Sequence, residues 1–255
     1  MTGFEPLPCI HDGTRLSGRL ARPQGRWNGA AVLMFPGATG PGPSFDRAIR
    51  ELAAMGYLVV SADMYEAGAD LSSREAAGAQ FAALMAAPGL LRDRTVAWFR
   101  HVRGLDGVDP ERIAAIGYCF GGKCVLELAR SGEPVRAISS FHGLLATDAP
   151  ARPDRIQAEI SIWTGGEDPY VPQQDVEALQ AELDAARARY QVTRFAKARH
   201  AFTDPDHDGF GPGIAYDRIA HRIAWMGTLG LLAETVGEDA PSNVTLQQRI
   251  PEKAR

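Results

Sequence analysis

The sequence predicts an α/β fold, with a mostly parallel central sheet and helices on both faces. Two observations support this prediction: short apolar runs alternate with helical patterns along most of the 255 residues, and no repeat or linker interrupts them. Strands that alternate with helices are joined by crossovers, which make the strands parallel and place helices on both faces of the sheet. We therefore expect one domain over residues 1–236, followed by a polar tail over residues 237–255.

Each predicted strand is a short apolar run that ends at a turn. The run at 30–35 is entirely apolar and stops at Pro36 and Gly37, as expected for a strand buried on both faces. Gly13 lies in a turn that we expect to link two short N-terminal strands. The other strands are predicted at residues 57–60, 112–116, 135–140, 160–163 and 190–195.

The predicted helices carry apolar residues at helical spacing. In residues 44–55, Phe45 and Ile49 belong to one apolar face, Ser44 is the expected N-cap and Gly56 the expected stop. Further helices are predicted in the Ala-rich region up to a break at residues 88–89, from there to about residue 104, from about residue 120, at 173–188 and at 214–236.

Composition excludes several classes of protein. Lys and Arg together number 27 against 31 Asp and Glu, a net charge of −4, so we expect no nucleic-acid or anionic-membrane surface. No apolar run is long enough to span a bilayer. The first residues lack a basic region followed by an apolar one, which predicts a cytoplasmic protein. Three cysteines are too few for a disulfide framework, and the oligomeric state stays open.

The segment GYCFGG at residues 117–122 is the sharpest motif in the chain. It lies between a predicted strand and a predicted helix, as a nucleophile elbow does. Gly117 and Gly121 let the strand and helix approach closely, so that Cys119 projects above the sheet at the start of the helix. A helix N-terminus favours the thiolate, the reactive form of cysteine. The alternative is an inert cysteine packed under a glycine turn.

The same segment nearly matches a phosphate-binding loop. Gly117, Gly122 and Lys123 fit its spacing, but the Ser or Thr that holds magnesium is replaced by Cys124. Bulky residues also fill the part of the loop where amides wrap a phosphate. We therefore reject a phosphate-binding loop, and expect Lys123 to be exposed and Cys124 to be in the core.

A cysteine nucleophile needs a histidine base and a carboxylate that orients the histidine. In enzymes built around such an elbow, the acid and then the histidine follow the nucleophile in the chain. His200 follows the last predicted strand and is the expected base, with His207 as the alternative. Asp168 follows the strand at 160–163 and is the expected acid, with Glu167 as the alternative.

Two backbone amides are the expected oxyanion donors. One belongs to Phe120, directly after the nucleophile, and the other to Ala38, in the loop after the strand at 30–35. A different motif is set aside: Asp204, Asp206 and Asp208 copy the first half of a calcium loop, but the twelfth position lacks the required Glu. We predict no metal site there.

These motifs together resemble the dienelactone hydrolase family of α/β-hydrolases. The resemblance rests on residues 117–122, 62–65, 165–172 and 200–202, and it spans roughly residues 11–233. It implies an α/β-hydrolase fold and a Cys-Asp-His triad. The resemblance further implies that this triad, Cys119, Asp168 and His200, hydrolyses a small ester or lactone through an acyl thioester, without a metal or organic cofactor.

The resemblance also has departures that bear on the substrate. The family's dienelactone-cleaving members carry a glutamate at the position of Gly37, and an arginine soon after the segment that ends at Tyr65. Here no arginine follows Tyr65 before Arg74. Because a substrate carboxylate would lack its charge-assisted clamp, we expect a neutral or differently shaped ester, lactone or thioester. We expect Gly37, Tyr65, Tyr118 and His142 to border the pocket.

Other functions remain compatible with these residues. An acyl transferase, lyase or cyclase could use the same triad, because one fold hosts many chemistries. A non-catalytic binding protein of the same fold is a further alternative. The leading hypothesis is a cysteine hydrolase that acts on a small molecule.

Overall fold

A computed structural model describes residues 3–87 and 89–237 and confirms the predicted α/β architecture with a mostly parallel sheet. The strands are β1 (Glu5–Pro6), β2 (Cys9–His11), β3 (Thr14–Ala21), β4 (Ala31–Phe35), β5 (Leu58–Glu66), β6 (Ile113–Tyr118), β7 (Ala137–Phe141), β8 (Glu159–Gly165) and β9 (Arg189–Phe195). The helices are α1 (Pro43–Ala54), α2 (Arg74–Met85), α3 (Leu90–Arg103), α4 (Phe120–Ser131), α5 (Gln173–Ala185) and α6 (Arg218–Val236).

The strands form one sheet in the order β1-β3-β5-β4-β6-β7-β8-β9, with β2 paired to β3. Strands β4 to β9 run parallel to one another, whereas β3 pairs antiparallel with β1, β2 and β5. The register pairs Phe35 with Gly117 and Tyr118 with Phe141. The loops after β4, β6 and β7 therefore meet at one edge of the sheet.

Helices cover both faces of the sheet. Along β4, Leu33 and Phe35 belong to one hydrophobic cluster, whereas Val32 and Met34 belong to the other. The first cluster includes residues of α3 and α4, and the second includes residues of α1 and α6. This alternation explains why the strand is a continuous apolar run in the sequence.

Two helix starts differ from the sequence prediction. Helix α1 begins at Pro43 with Gly42 at the N-cap, so the expected cap at Ser44 is wrong. The hydroxyl of Ser44 instead donates to Asp206, 2.5 Å away. Pro43 suits the first position of the helix because an N–H at that position would have no acceptor within the helix. Helix α6 begins at Arg218 because the Asp217 carboxylate caps it, a few residues later than predicted.

Helix α4 is buried along almost its whole length, and this corrects the expectation for Lys123. Cys124 is fully buried, as predicted, but Lys123 is buried as well, and its ammonium donates to the carbonyl of Ala146. Burial lowers the pKa of Lys123. Farther along the helix, Glu127 and Arg130 are both buried and form an ion pair at 3.0 Å.

The expected polar tail over residues 237–255 lies, apart from Gly237, outside the described residues. The boundary of the domain at residue 236 therefore stays a prediction. Within the part of the chain that the structure describes, no helix is long and apolar enough to cross a membrane.

Candidate active site

Cys119 occupies a strained turn between β6 and α4. Its φ is 54°, in the region that favours glycine. The flanking glycines leave no room for a side chain: a Cβ at Gly117 would lie 1.9 Å from the carbonyl oxygen of Gly121, and one at Gly121 would lie 2.1 Å from that of Phe35. The structure thus has the close approach of strand and helix that defines a nucleophile elbow.

Three side chains from distant parts of the chain form a hydrogen-bonded row. His200 Nε2 lies 3.0 Å from Cys119 Sγ, and His200 Nδ1 lies 2.8 Å from Asp168 Oδ2. The other carboxylate oxygen, Oδ1, accepts a hydrogen bond from the backbone N–H of Tyr170 at 2.9 Å. The sequence-predicted nucleophile, base and acid are therefore in contact, in the geometry of a catalytic triad.

The electrostatics of His200 follow from these contacts. Burial lowers the pKa of His200, but its hydrogen bonds with Asp168 and Cys119 and their charges raise it, with a net result of about 10. The imidazole is therefore a strong acceptor for the thiol proton, and the imidazolium is held between two groups that stabilise it.

The two alternatives from the sequence lie elsewhere. Glu167 is exposed and pairs with Lys197 at 3.0 Å, so its carboxylate does not contact His200. His207 lines the same cavity as Cys119, but its Nδ1 pairs with Asp204 at 2.7 Å. The geometry favours Asp168 and His200 over both.

The loop after β4 lies beside the elbow. A hydrogen bond of 3.0 Å from the N–H of Gly40 to the carbonyl of Gly37 closes its turn. The Ala38 carbonyl accepts a hydrogen bond from the Tyr65 hydroxyl at 3.1 Å, which fixes the orientation of the peptide group between Ala38 and Thr39. Phe120 is the first residue of α4, so its N–H has no acceptor within the helix.

A cavity of about 880 Å³ opens above Cys119. Its lining includes Gly37, Tyr118 and His142, as the sequence predicted. Tyr65 lies behind the wall instead: it is buried, and its ring stacks on Phe120 with centroids 5.9 Å apart. Tyr65 therefore supports the loop after β4 from behind and does not form part of the cavity surface.

His142 packs against the histidine of the triad. The two ring centroids are 5.1 Å apart, and His142 Nε2 lies 2.8 Å from the Thr203 hydroxyl. Burial, and then the charge of His200, hold the pKa of His142 well below its usual value. His142 is therefore a neutral ring that packs beside His200 without sharing its charge.

Four arginines line the cavity, and the sequence motifs predicted none of them as site residues. They are Arg47, Arg74, Arg218 and Arg222. Arg218 and Arg222 lie one turn apart on α6, but α1, α2 and α6 are far apart in the sequence, so no spacing signal connects the three helices. The guanidinium of Arg74 lies over the ring of Phe210, 5.5 Å from its centroid.

The three aspartates of the rejected calcium motif each form an ion pair or a hydrogen bond with another residue of the chain. Asp204 pairs with His207, Asp206 with Arg47, and the Asp208 carboxylate accepts from the N–H of Tyr216. These contacts tie residues 204–216 to α1 and to the rim of the cavity. No cluster of three or more metal-ligating side chains occurs among the residues that the structure describes.

The family model described as "Dienelactone hydrolase family" matches residues 16–236. The chain belongs to the dienelactone hydrolase family. A Caenorhabditis elegans protein, the uncharacterised K02A2.1, is 34% identical over 150 residues, which are 57% of this chain and 94% of the relative. A Salmonella typhimurium protein provisionally named carboxymethylenebutenolidase is 25% identical over 192 residues, covering 71% of this chain and 70% of the relative.

Solved structures agree with membership of the dienelactone hydrolase family. The structure named m3DLH has a TM-score of 0.84 and 30% identity, and the match covers 92% of this chain and 98% of that chain. A dienelactone hydrolase-like promiscuous phosphotriesterase, P91 from metagenomic libraries, also has a TM-score of 0.84, with 29% identity and the same coverage. The chain is thus a member of a hydrolase family with the α/β-hydrolase fold.

Proposed function

We propose that the protein is a cysteine-dependent hydrolase of small esters or lactones, with Cys119 as nucleophile, His200 as base and Asp168 as the acid that orients it. The observation that carries this proposal is the row of hydrogen bonds from Cys119 Sγ to His200 at 3.0 Å and from His200 to Asp168 at 2.8 Å. Membership of the dienelactone hydrolase family supports it independently.

The first half of the proposed reaction forms a thioester. His200 accepts the thiol proton while the sulfur of Cys119 attacks the carbonyl carbon. The negative charge moves to the carbonyl oxygen, where the amides of Phe120 and Ala38 stabilise it. When the tetrahedral intermediate collapses, the carbon–oxygen bond to the leaving group breaks, and the leaving oxygen takes the proton from His200.

The second half hydrolyses the thioester. Water gives one proton to His200 and its oxygen attacks the thioester carbon. A second tetrahedral intermediate uses the same amides, and its collapse breaks the carbon–sulfur bond. The sulfur regains the proton from His200, and the carboxylic acid leaves. Every proton is returned, so the cycle needs no cofactor.

The substrate is proposed to be a neutral or differently shaped ester, lactone or thioester, because no arginine lies between Tyr65 and Arg74. Four arginines line the cavity, so anionic groups elsewhere on the substrate are compatible with it. Gly37, Tyr118 and His142 also line it, and we propose that they border the bound substrate.

The decisive experiment compares wild type with Cys119→Ala on 4-nitrophenyl acetate and on a small lactone. Cys9→Ala is a matched control because Cys9 is a buried cysteine away from the cavity. We expect the Cys119 variant to lose activity and the Cys9 variant to keep it. Intact mass spectrometry of quenched wild type should find the acyl group on Cys119, removable by neutral hydroxylamine.

Acyl transfer and non-catalytic binding are the competing functions. Product analysis with an added alcohol acceptor separates hydrolysis from transfer, because a transferase would give the new ester in preference to the acid. If wild type turns over no ester, lactone or thioester, the hydrolase proposal fails and a binding role is favoured.

A further inference from the structure

Helix α2 forms one side wall of the cavity and carries a glycine in the middle of that wall. Ala77, Gly78 and Phe81 all line the cavity. A Cβ built at Gly78 would meet no atom within 4 Å, so neither a turn nor a close approach requires glycine there. Glycine inside a helix is destabilising relative to alanine, and its presence here keeps open space above the helix.

The residues that bound this space are apolar and aromatic, while Arg74, one turn earlier on α2, also lines the cavity and lies over the ring of Phe210. The rings of Phe81 and Phe120 meet edge to face with centroids 5.4 Å apart. Phe120 in turn stacks on Tyr65. Ala77 is buried beside Gly78. We call the space bounded by Ala77, Gly78, Phe81 and Phe120 the α2 arm. Such walls favour hydrocarbon or aromatic groups.

The position of the triad decides which part of a substrate reaches the α2 arm. The leaving oxygen must lie next to His200, which follows β9, because it takes its proton there. In the sheet, β9 lies on one side of β6 and β5 lies on the other. Helix α2 follows β5, so the α2 arm is on the side of Cys119 opposite to β9. The acyl substituent points away from the leaving group, and therefore towards the α2 arm.

We propose that the α2 arm binds the acyl group of the substrate, that this group is apolar and several carbons long or aromatic, and that Gly78 sets the depth of the arm. The inference rests on the proposed hydrolase function. Gly78 acts here as a specificity-determining residue: it leaves room for atoms of the substrate.

The test measures a ratio of kcat/KM values for 4-nitrophenyl hexanoate and 4-nitrophenyl acetate, which share a leaving group. Gly78→Leu fills the arm and should lower the hexanoate-to-acetate ratio about tenfold, since about two methylene groups of the acyl chain lose apolar surface. Gly78→Ala should lower the ratio less. Gly230→Leu is the matched control, because Gly230 is also in a helix with no atom within 4 Å of its Cβ but lies outside the cavity.

A second pair of substrates tests the orientation. Phenyl acetate and 2-naphthyl acetate share an acyl group and differ in the size of the leaving group. Gly78→Leu should leave their ratio at the wild-type value. The inference is overturned if Gly78→Leu leaves the hexanoate-to-acetate ratio unchanged, or if it lowers the ratio of kcat/KM for 2-naphthyl acetate to that for phenyl acetate. Failure of the proposed function gives a different result, namely that wild type hydrolyses none of these esters or that Cys119→Ala still does.

Discussion

Asp168→Asn is the substitution that tests the candidate triad most directly. The Asp168 carboxylate accepts two hydrogen bonds, one from the backbone N–H of Tyr170 at 2.9 Å and one from His200 Nδ1 at 2.8 Å. Asparagine has nearly the same shape but only one accepting oxygen. If that oxygen keeps the bond to Tyr170, the amide N–H₂ faces His200 Nδ1, and two donors oppose each other.

The consequence for the chemistry follows from the tautomer. His200 must then present a lone pair at Nδ1 and carry its proton on Nε2, which lies 3.0 Å from Cys119 Sγ. In that form it cannot accept the thiol proton. Loss of the correct tautomer in a comparable triad lowers kcat by about 10⁴, which corresponds to about 5 kcal/mol of transition-state stabilisation. We expect kcat/KM for Asp168→Asn to fall by about 10³ to 10⁴.

The assay is the kcat/KM for 4-nitrophenyl acetate, with the melting temperature measured in parallel. Glu167→Gln is the matched control, because Glu167 is the adjacent carboxylate and its partners are the exposed cations Lys197 and Arg199. It should retain wild-type activity. Activity of Asp168→Asn within threefold of wild type refutes the reasoning, as does a large loss confined to Glu167→Gln.

Three further predictions concern stability. Burial lowers the pKa of His200, but Asp168 and Cys119 raise it, to about 10. The contribution of charged His200 to the free energy of unfolding is therefore complete below about pH 6.5 and declines as the pH rises towards 10. Urea unfolding should show a smaller gap between wild type and His200→Gln at pH 9 than at pH 6, and a constant gap would contradict this. Glu127→Ala removes one of two acidic partners of Arg130, which keeps Glu182 at 2.8 Å, and should reduce the free energy of unfolding by about 2 kcal/mol; urea titration checks this, and a loss below 1 kcal/mol refutes it. Gly121→Ala would place a Cβ 2.1 Å from the carbonyl oxygen of Phe35; little folded protein should be recovered, and a wild-type melting temperature argues against a tight elbow.

The strand-helix order was predictable because it depends on local composition. Parallel strands buried on both faces, such as β4, are continuous apolar runs, and the glycines of the elbow are required by contacts within a few residues. The start of α1 was missed because the Ser44 hydroxyl binds Asp206, which is distant in sequence and could not be foreseen from the local pattern.

Helix α6 shows how a hydrophobic stripe can mislead. A stripe at helical spacing contains Ile219, Ile223, Met226 and Leu229, yet the first three are exposed and only Leu229 packs, partly buried, against the core. The buried face instead includes Ala224 and Thr228, and the Thr228 hydroxyl lies 2.7 Å from that of Ser139. Trp225, Leu232 and Val236 are buried on α6 as well. Residue size and a hydrogen-bond partner on β7 therefore help to decide the buried face, together with hydrophobicity.

The parts of the candidate site also differ in whether local sequence or distant packing determines them. The candidate triad could be predicted because each of its residues follows a strand, and the carboxyl ends of parallel strands meet at one edge. The arginines and the α2 arm could not, because they lie on helices whose orientation depends on packing. Of α2, only Ala77 and Leu84 are buried, whereas α4 below the nucleophile is buried from Phe120 to Arg130. Substitutions on α2 therefore change the cavity with little cost to the core, and we infer that specificity can vary there while the elbow and its chemistry are retained.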